Sequence, residues 1–304
     1  MVADATGLPQ ALEELIAARY GRAVRPIASI AGGDEAVAWR VDGEEQLLVH
    51  QSPRWRTAEE LAWVHELIAI VARDLPETVA PVRTRDGSTF VTYDTALITL
   101  YPFIEGEHLD RHDASQRDAA ATLLARLHRV TFGCSMPPRP APGPGALAVM
   151  TGPADPPELM DRDLDAQIAG LERRPDLAWG LIHGDFYRRN LIWSGGRIAA
   201  VVDWHEARHD ALVGEVARAA WEFGKDAAGT HLIAKRARAF LERYRSAAGP
   251  AEVQDLRLLV PLIRSRLREE ARLSLKLAAR GLADDTAYRA AVIASFVSLR
   301  EQSL

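Results

Sequence analysis

Two residue types are nearly missing from this 304-residue chain. Cysteine occurs once, at Cys134, so neither an intramolecular disulfide nor a cysteine-based zinc cluster can form. A single thiol in a Pro/Gly-rich stretch reads as incidental. Lysine first appears at Lys225 and then only at Lys235 and Lys276, while arginine is abundant. Any site needing an ammonium group earlier in the chain must therefore do without one. No apolar run approaches the roughly 18 residues that cross a bilayer. The opening MVADATGLPQ has no basic stretch followed by an apolar core, as a secretory signal would. The formal net charge of -5 gives no reason to expect a nucleic-acid partner. The expectation is a soluble cytoplasmic protein with neither nucleic acid nor membrane as partner, of undetermined oligomeric state.

What is present has the balance of a globular protein, 48% hydrophobic and 26% charged, long enough for two lobes that each bury a core. Leu8 to Tyr20 carries Leu8, Leu12, Leu15 and Ile16 at helical spacing, with Pro9 near its start and Gly21 after its end. PIASIAGG, AVAWRVD and QLLVHQ then read as three antiparallel strands separated by a Gly-Gly turn and an Asp-Gly hairpin. Residues 57–73 return to helical spacing, and VAPVRT, STFVTYDT and ALITLYPFI add two or three strands. Beyond Glu105-Gly106 the pattern is mainly helical. Helices are expected over 115–129, over 158–173 and throughout the chain after about Leu212, with a Pro/Gly-rich exposed loop over 133–157 between the first two. The sequence thus divides into a small α+β lobe over 1–104 and a larger helical lobe over 105–304.

The chemistry concentrates in HGDFYRRN, residues 183–190, and the VVDW that follows at 201–204. A hairpin turning at Ser194-Gly195-Gly196 joins them, so Asn190 and Asp203 meet at its open end despite their separation in sequence. An amide oxygen and a carboxylate converging there make a hard-oxygen pocket suited to Mg²⁺, which takes one or two carboxylates plus substrate phosphates. Asp185, close by, can accept the proton of an attacking hydroxyl. Phosphoryl transfer needs these two parts.

HGDFYRRN followed by VVDW resembles the signature of the aminoglycoside phosphotransferase/choline kinase-like family, relatives of the protein kinases, and the lobe order extends the resemblance over most of the chain. It implies a bilobal protein-kinase-like α+β fold, with a small β-rich nucleotide-binding N-lobe and a mainly helical C-lobe holding the catalytic loop, metal site and substrate cleft. It implies an O-kinase that moves the γ-phosphate of ATP or GTP, with Mg²⁺, to a hydroxyl of a small molecule. Asp185 would be the catalytic base, Asn190 and Asp203 the Mg²⁺ ligands, and His183 a brace for the loop. Arg189 stands just before Asn190, as the arginine does in the HRDLAARN loop of many tyrosine kinases, where it faces the reacting hydroxyl. Gly32 and Gly33 occupy the place of the phosphate-covering turn. Tyr101 to Ile104, with Phe103 among them, would be the hinge that meets adenine.

One family feature is absent. The phosphate-binding lysine of the third strand has no counterpart, and its position falls at Leu48 or His50, with Glu60, Glu66 or neither as its acidic partner. A neutral imidazole at His50 does not replace an ammonium, although Arg188 and Arg189 could compensate in part. This gap supports an alternative, a pseudokinase-like binding or regulatory protein with a degenerate nucleotide site. A third reading comes from HEARH, residues 205–209, which spells the zinc-protease motif H-E-x-x-H. That motif needs both histidines on one helix, and here it follows a strand by two residues; Glu206 or His209 could instead line the substrate side. Residues 255–282 carry seven basic against three acidic side chains, which favours a neutral or anionic acceptor (an amino alcohol, a sugar or a neutral antibiotic hydroxyl) over a polycation. Trp193, Trp204 and Trp221 could stack on a ring.

Overall fold

A computed structural model describes residues 7–301 apart from 32–36, 142–154, 173, 175, 252–255, 280 and 282–284. The chain divides into two compact units, Met1–Glu105 with Arg139–Leu147, and Gly106–Pro138 with Ala148–Leu304.

The first unit is built on helix α1 (Gln10–Tyr20), strands β1 (Arg25–Ala31), β2 (Val37–Asp42) and β3 (Leu47–Gln51), helix α2 (Ala58–Val71), and strands β4 (Val91–Tyr93) and β5 (Ala96–Pro102). The strands form one antiparallel sheet in the order β1-β2-β3-β5-β4. Gly21 ends α1 with φ 72°, a left-handed cap open to glycine without a Cβ penalty. The period of two divides each central strand. Leu47, Val49, Ile98 and Leu100 join Leu12, Ile16 and Tyr20 of α1 in one apolar core. His50 and Thr99, cross-strand partners, lie on the opposite face. Thr57 starts α2 through a capping box with Glu60, the pattern T-x-x-E. Of the strands expected after α2, VAPVRT forms none. Pro81 has no N–H to donate, and the segment makes a single ladder-like bond, Val82 N–H to Leu100 O at 2.8 Å. The Gly-Gly turn lies outside the described residues, as does much of the Pro/Gly-rich loop.

The second unit contains β6 (Glu107–His108), α3 (Ala114–Phe132), α4 (Arg162–Glu172), β7 (Trp179–Ile182), β8 (Leu191–Ser194), β9 (Arg197–Val201), β10 (Arg208–Ala211) and four helices, α5 (Leu212–Gly224), α6 (Ala234–Ser246), α7 (Leu256–Ala278) and α8 (Thr286–Glu301). Two small sheets, β6-β8-β9 and β7-β10, frame the loop that carries HGDFYRRN. The pairing of WGLI with β10 was not expected. It puts His209 opposite Leu181 in a strand, so the chain after Asp203 is a short turn followed by a strand rather than a turn alone. Among the described residues no helix is long and apolar enough to cross a membrane.

Candidate active site

The β8–β9 hairpin closes as its sequence requires, with Leu191 opposite Val201 and the Val202 N–H donating to Asn190 O at 2.9 Å. Asn190 and Asp203 therefore leave the same end of one hairpin. Asn190 is buried, and its amide nitrogen donates to the Asp185 main-chain oxygen and to Asp185 Oδ2, both at 2.9 Å. This fixes the Asp185 carboxylate and leaves the amide oxygen of Asn190 unused by either bond. His183 ties the two halves together. Its Nδ1 accepts from the Asp185 N–H at 3.2 Å, so Nε2 carries the proton and donates to Val202 O at 3.0 Å. Trp204 packs on the same imidazole, with ring centroids 4.6 Å apart, and is too buried to stack on a substrate.

Asp203 has φ 63°, a left-handed conformation uncommon for a residue with a side chain. Its carboxyl sits above the usual carboxylate range, pushed by crowding of the surrounding chain and then by the charges of Asp185 and Glu206, against an opposing effect of His183. The side chain still reaches solvent. An accessible carboxylate whose ionisation is resisted by neighbouring acids is relieved by a cation, and with the Asn190 oxygen it fits a hard divalent ion. Among the described residues no cluster of three or more His, Cys, Asp or Glu could hold a metal on its own. The zinc reading fails on placement. His205 and Glu206 lie in a turn, and His209, in β10, stacks on Trp179 at 6.0 Å, so no helix presents the two histidines together.

The residues that hold the loop from below escaped the sequence reading. Glu215, on α5 and fully buried, accepts from the His183 N–H at 3.2 Å, the Gly184 N–H at 2.6 Å and His128 Nε2 at 2.9 Å. Burial alone would raise this carboxyl, but the bond and charge of His128, then His183 and the Gly184 N–H, outweigh it and hold it low. Tyr244 completes the chain by contacting His128 Nδ1 at 2.8 Å. One turn along α5, Arg218 reaches Asp185 Oδ1 at 2.5 Å and Gly184 O at 2.6 Å. The signal was present in LVGEVARAAWEFG, where three charged side chains interrupt an apolar helix.

Asp185 opens onto a cavity of about 370 Å³ within the second unit. Arg189, exposed, lines it, as do Trp221, Ile263 and Leu267. Six cations and three carboxylates share its wall. Near Asp185 most of the charge is paired, since Arg218 also pairs with Glu270 at 3.4 Å and Arg266 pairs with Glu270 at 3.3 Å, which leaves exposed Arg189 as the excess. The basic excess expected of 255–282 is largely neutralised elsewhere. Arg264 pairs with Asp161, Arg268 with Asp165 at 2.7 Å, and Arg272 with Asp155.

In the first unit, His50 lies in β3 opposite Thr99, and burial, then the charge of Arg56, lower its pKa to about 4. The imidazole is therefore neutral at pH 7. Glu66 is exposed, whereas Glu60 is buried and takes its cations from Arg56 at 3.1 Å and Arg139 at 3.4 Å. Phe103 donates its N–H to Gln46 O at 2.9 Å, so that donor is engaged, and Arg40 covers its ring at 4.2 Å. Gly32 and Gly33 lie outside the described residues.

Comparison with known proteins gives the family and the fold. Residues 26–256 match the model of the phosphotransferase enzyme family. A homoserine kinase of Methylobacillus flagellatus is 31% identical over 195 residues, covering 62% of this chain and 60% of that relative, so the match spans about three fifths of its length. Among solved structures, a spectinomycin phosphotransferase bound to ADP and its antibiotic superposes with a TM-score of 0.62 at 17% identity, covering 97% of this chain and 94% of that one. An amicoumacin kinase bound to AMP-PNP and Ca²⁺ gives 0.70 at 14% identity, covering 95% and 93%. At such identities these two likenesses show the protein-kinase-like fold, while the family match spans most of the sequence. The chain belongs to the phosphotransferase enzyme family, whose members here are small-molecule phosphotransferases.

Proposed function

We propose that the protein transfers the γ-phosphate of ATP or GTP to the hydroxyl of a small alcohol held beside Asp185. The observation that carries this is the bond from Asn190 to Asp185 at the open end of the hairpin that also delivers Asp203. Asp185 takes the hydroxyl proton. Although both its oxygens already accept hydrogen bonds, an ionised carboxylate offers about four lone-pair sites, so one remains for the acceptor. The acceptor oxygen forms its new bond to phosphorus as the bond to the β-phosphate oxygen breaks, and the nucleoside diphosphate leaves. Asn190 and Asp203 would hold Mg²⁺, which when bound neutralises phosphate charge. Arg189, at the cavity wall, would face the reacting group.

The related homoserine kinase supports an amino-alcohol acceptor, and the solved neighbours an antibiotic hydroxyl; both are small alcohols. A nucleotide-binding protein without turnover is the second reading, favoured by neutral His50 at the position of the family lysine. The test is ADP release across a panel of alcohols with and without Mg²⁺. Wild-type protein is expected to turn over at least one alcohol, and Asp185→Asn to lose at least about 10²-fold in kcat while melting like wild type. Normal turnover by the variant would sink the mechanism.

A further inference from the structure

Three cations converge on Glu222, from three separate segments of the second unit. Arg111, in the loop before α3, approaches it at 3.8 Å, Arg188 of the catalytic loop at 3.5 Å, and Lys225, at the end of α5, still closer. The Glu222 side chain is only 8% exposed. One carboxylate cannot neutralise three cations, so this end of the cavity keeps an excess positive charge of two, whereas at the Asp185 end Arg189, Arg218 and Arg266 stand against Asp185 and Glu270, an excess of only one. All four side chains line the cavity that Asp185 opens onto. On α5, Arg218 and Glu222 fall at i and i+4, one face of the helix, and Lys225 follows directly at its C-terminal cap. That face therefore runs from the catalytic end to the cationic end, past the apolar surface of Trp221.

Resting on the kinase reading above, we infer that the acceptor is a hydroxy acid. Its carboxylate docks on Arg111, Arg188 and Lys225, and its hydroxyl reaches Asp185. Glu222 acts as a positioning residue. A buried acid with several cations fixes their side chains in advance, so less rotamer freedom is lost when an anion arrives. Charge-assisted bonds from guanidinium and ammonium groups to carboxylate oxygens are the strong class of hydrogen bond. The apolar wall of Trp221, Ile263 and Leu267 suits the short alkyl segment between the two ends. The same cations could in principle meet phosphate oxygens instead, on a phosphorylated alcohol or on the nucleotide, so each source has its own arm in the test.

The experiment measures ADP release by the full-length protein with matched acceptors: 4-hydroxybutanoate, its primary amide, L-homoserine, L-homoserine amide and glycerol 3-phosphate. Wild type is expected to prefer each acid over its amide by at least about tenfold in kcat/KM. In Arg111→Gln and Lys225→Gln that acid-to-amide ratio should collapse, with the KM for ATP within about twofold of wild type. A preference for the amides, or an acid preference kept intact in both variants, overturns the inference. So does a change falling on the KM for ATP, or a preference for glycerol 3-phosphate, since the cluster then serves phosphate. If no acceptor turns over, binding of the same acids is read by thermal shift in the presence of Mg²⁺ and AMP-PNP, and no shift also overturns it. Failure of the kinase reading itself is separate, and shows as no stabilisation by Mg²⁺ with AMP-PNP.

Discussion

Glu215 shows how one side chain can govern a site it does not touch. Its buried carboxylate accepts two backbone N–H groups of the HGDFYRRN loop and one imidazole. Glu215→Gln keeps the shape but turns one acceptor into a donor, which must face another donor. We expect this to cost about 2 kcal/mol of stability, the desolvation penalty of an unsatisfied buried group. Since the groups displaced are those that hold Asp185, kcat should fall by about tenfold or more with acceptor KM changed far less. Denaturant unfolding and steady-state kinetics on the same preparation check both. Lower stability with unchanged kcat would reduce Glu215 to a packing role. That Asp185 and Asn190 sit beside the hairpin end that carries Asp203 could be read in advance, because loop spacing and a Gly-Gly hairpin fix it. Glu215, Arg218 and Glu222 could not, because periodicity reports which face of a helix is buried and says nothing of what it meets.

Among the elements, β3 and α2 each bring an imidazole, His50 and His65, edge-on to the ring of Tyr101. His50 is lowered to about 4 by burial and then Arg56, and His65 to about 3 by burial and then His50. His65 contacts Thr89 Oγ1 at 2.8 Å and the Tyr101 hydroxyl at 3.0 Å, so its neutral form is tied into the sheet. In the unfolded chain both would titrate near 6.5. As pH falls below 6.5 the unfolded state gains protons that the folded state refuses, so stability drops with falling pH. The loss continues to about 4 for His50 and about 3 for His65, where the folded state protonates too. The slope is at most about 1.4 kcal/mol per pH unit for each group. Denaturation midpoints at pH 7.5, 6 and 5 should fall in wild type and flatten in a His50→Gln/His65→Gln double variant. Equal slopes would show that other groups govern acid stability. The first three antiparallel strands of this unit and the helix after them could be read in advance from alternation and helical spacing. The source of the cation at Glu60 could not: Arg56 lies one turn before it rather than on β3, a contact that strand pattern does not encode.

At the scale of the whole molecule, net charge and local charge point in opposite directions. The chain carries -5 overall, yet the cavity beside Asp185 gathers twice as many cations as acids. Composition, read as a whole-chain average, was silent about this local excess. Asp203 is the reverse case, where burial and then the charges of Asp185 and Glu206 resist ionisation against His183, so that a bound cation would relieve it. If Mg²⁺ and ATP bind there together, each strengthens the other, because the metal removes the repulsion between Asp203, Asp185 and the phosphates. Stability should then rise with ATP only when Mg²⁺ is present, by about 2.7 kcal/mol at a ligand concentration of 100 times Kd. For a chain of this size that is a rise of several degrees in Tm, of the order of 5 °C. Asp203→Asn should abolish the Mg²⁺-dependent part. It should also raise the stability of the ligand-free protein slightly, since a crowded carboxylate is replaced by a neutral amide. Stabilisation by ATP that is equal with Mg²⁺ and with EDTA would identify a nucleotide site that does not use Asn190 and Asp203 as metal ligands, and with it the non-catalytic reading. No stabilisation under either condition would remove the nucleotide altogether.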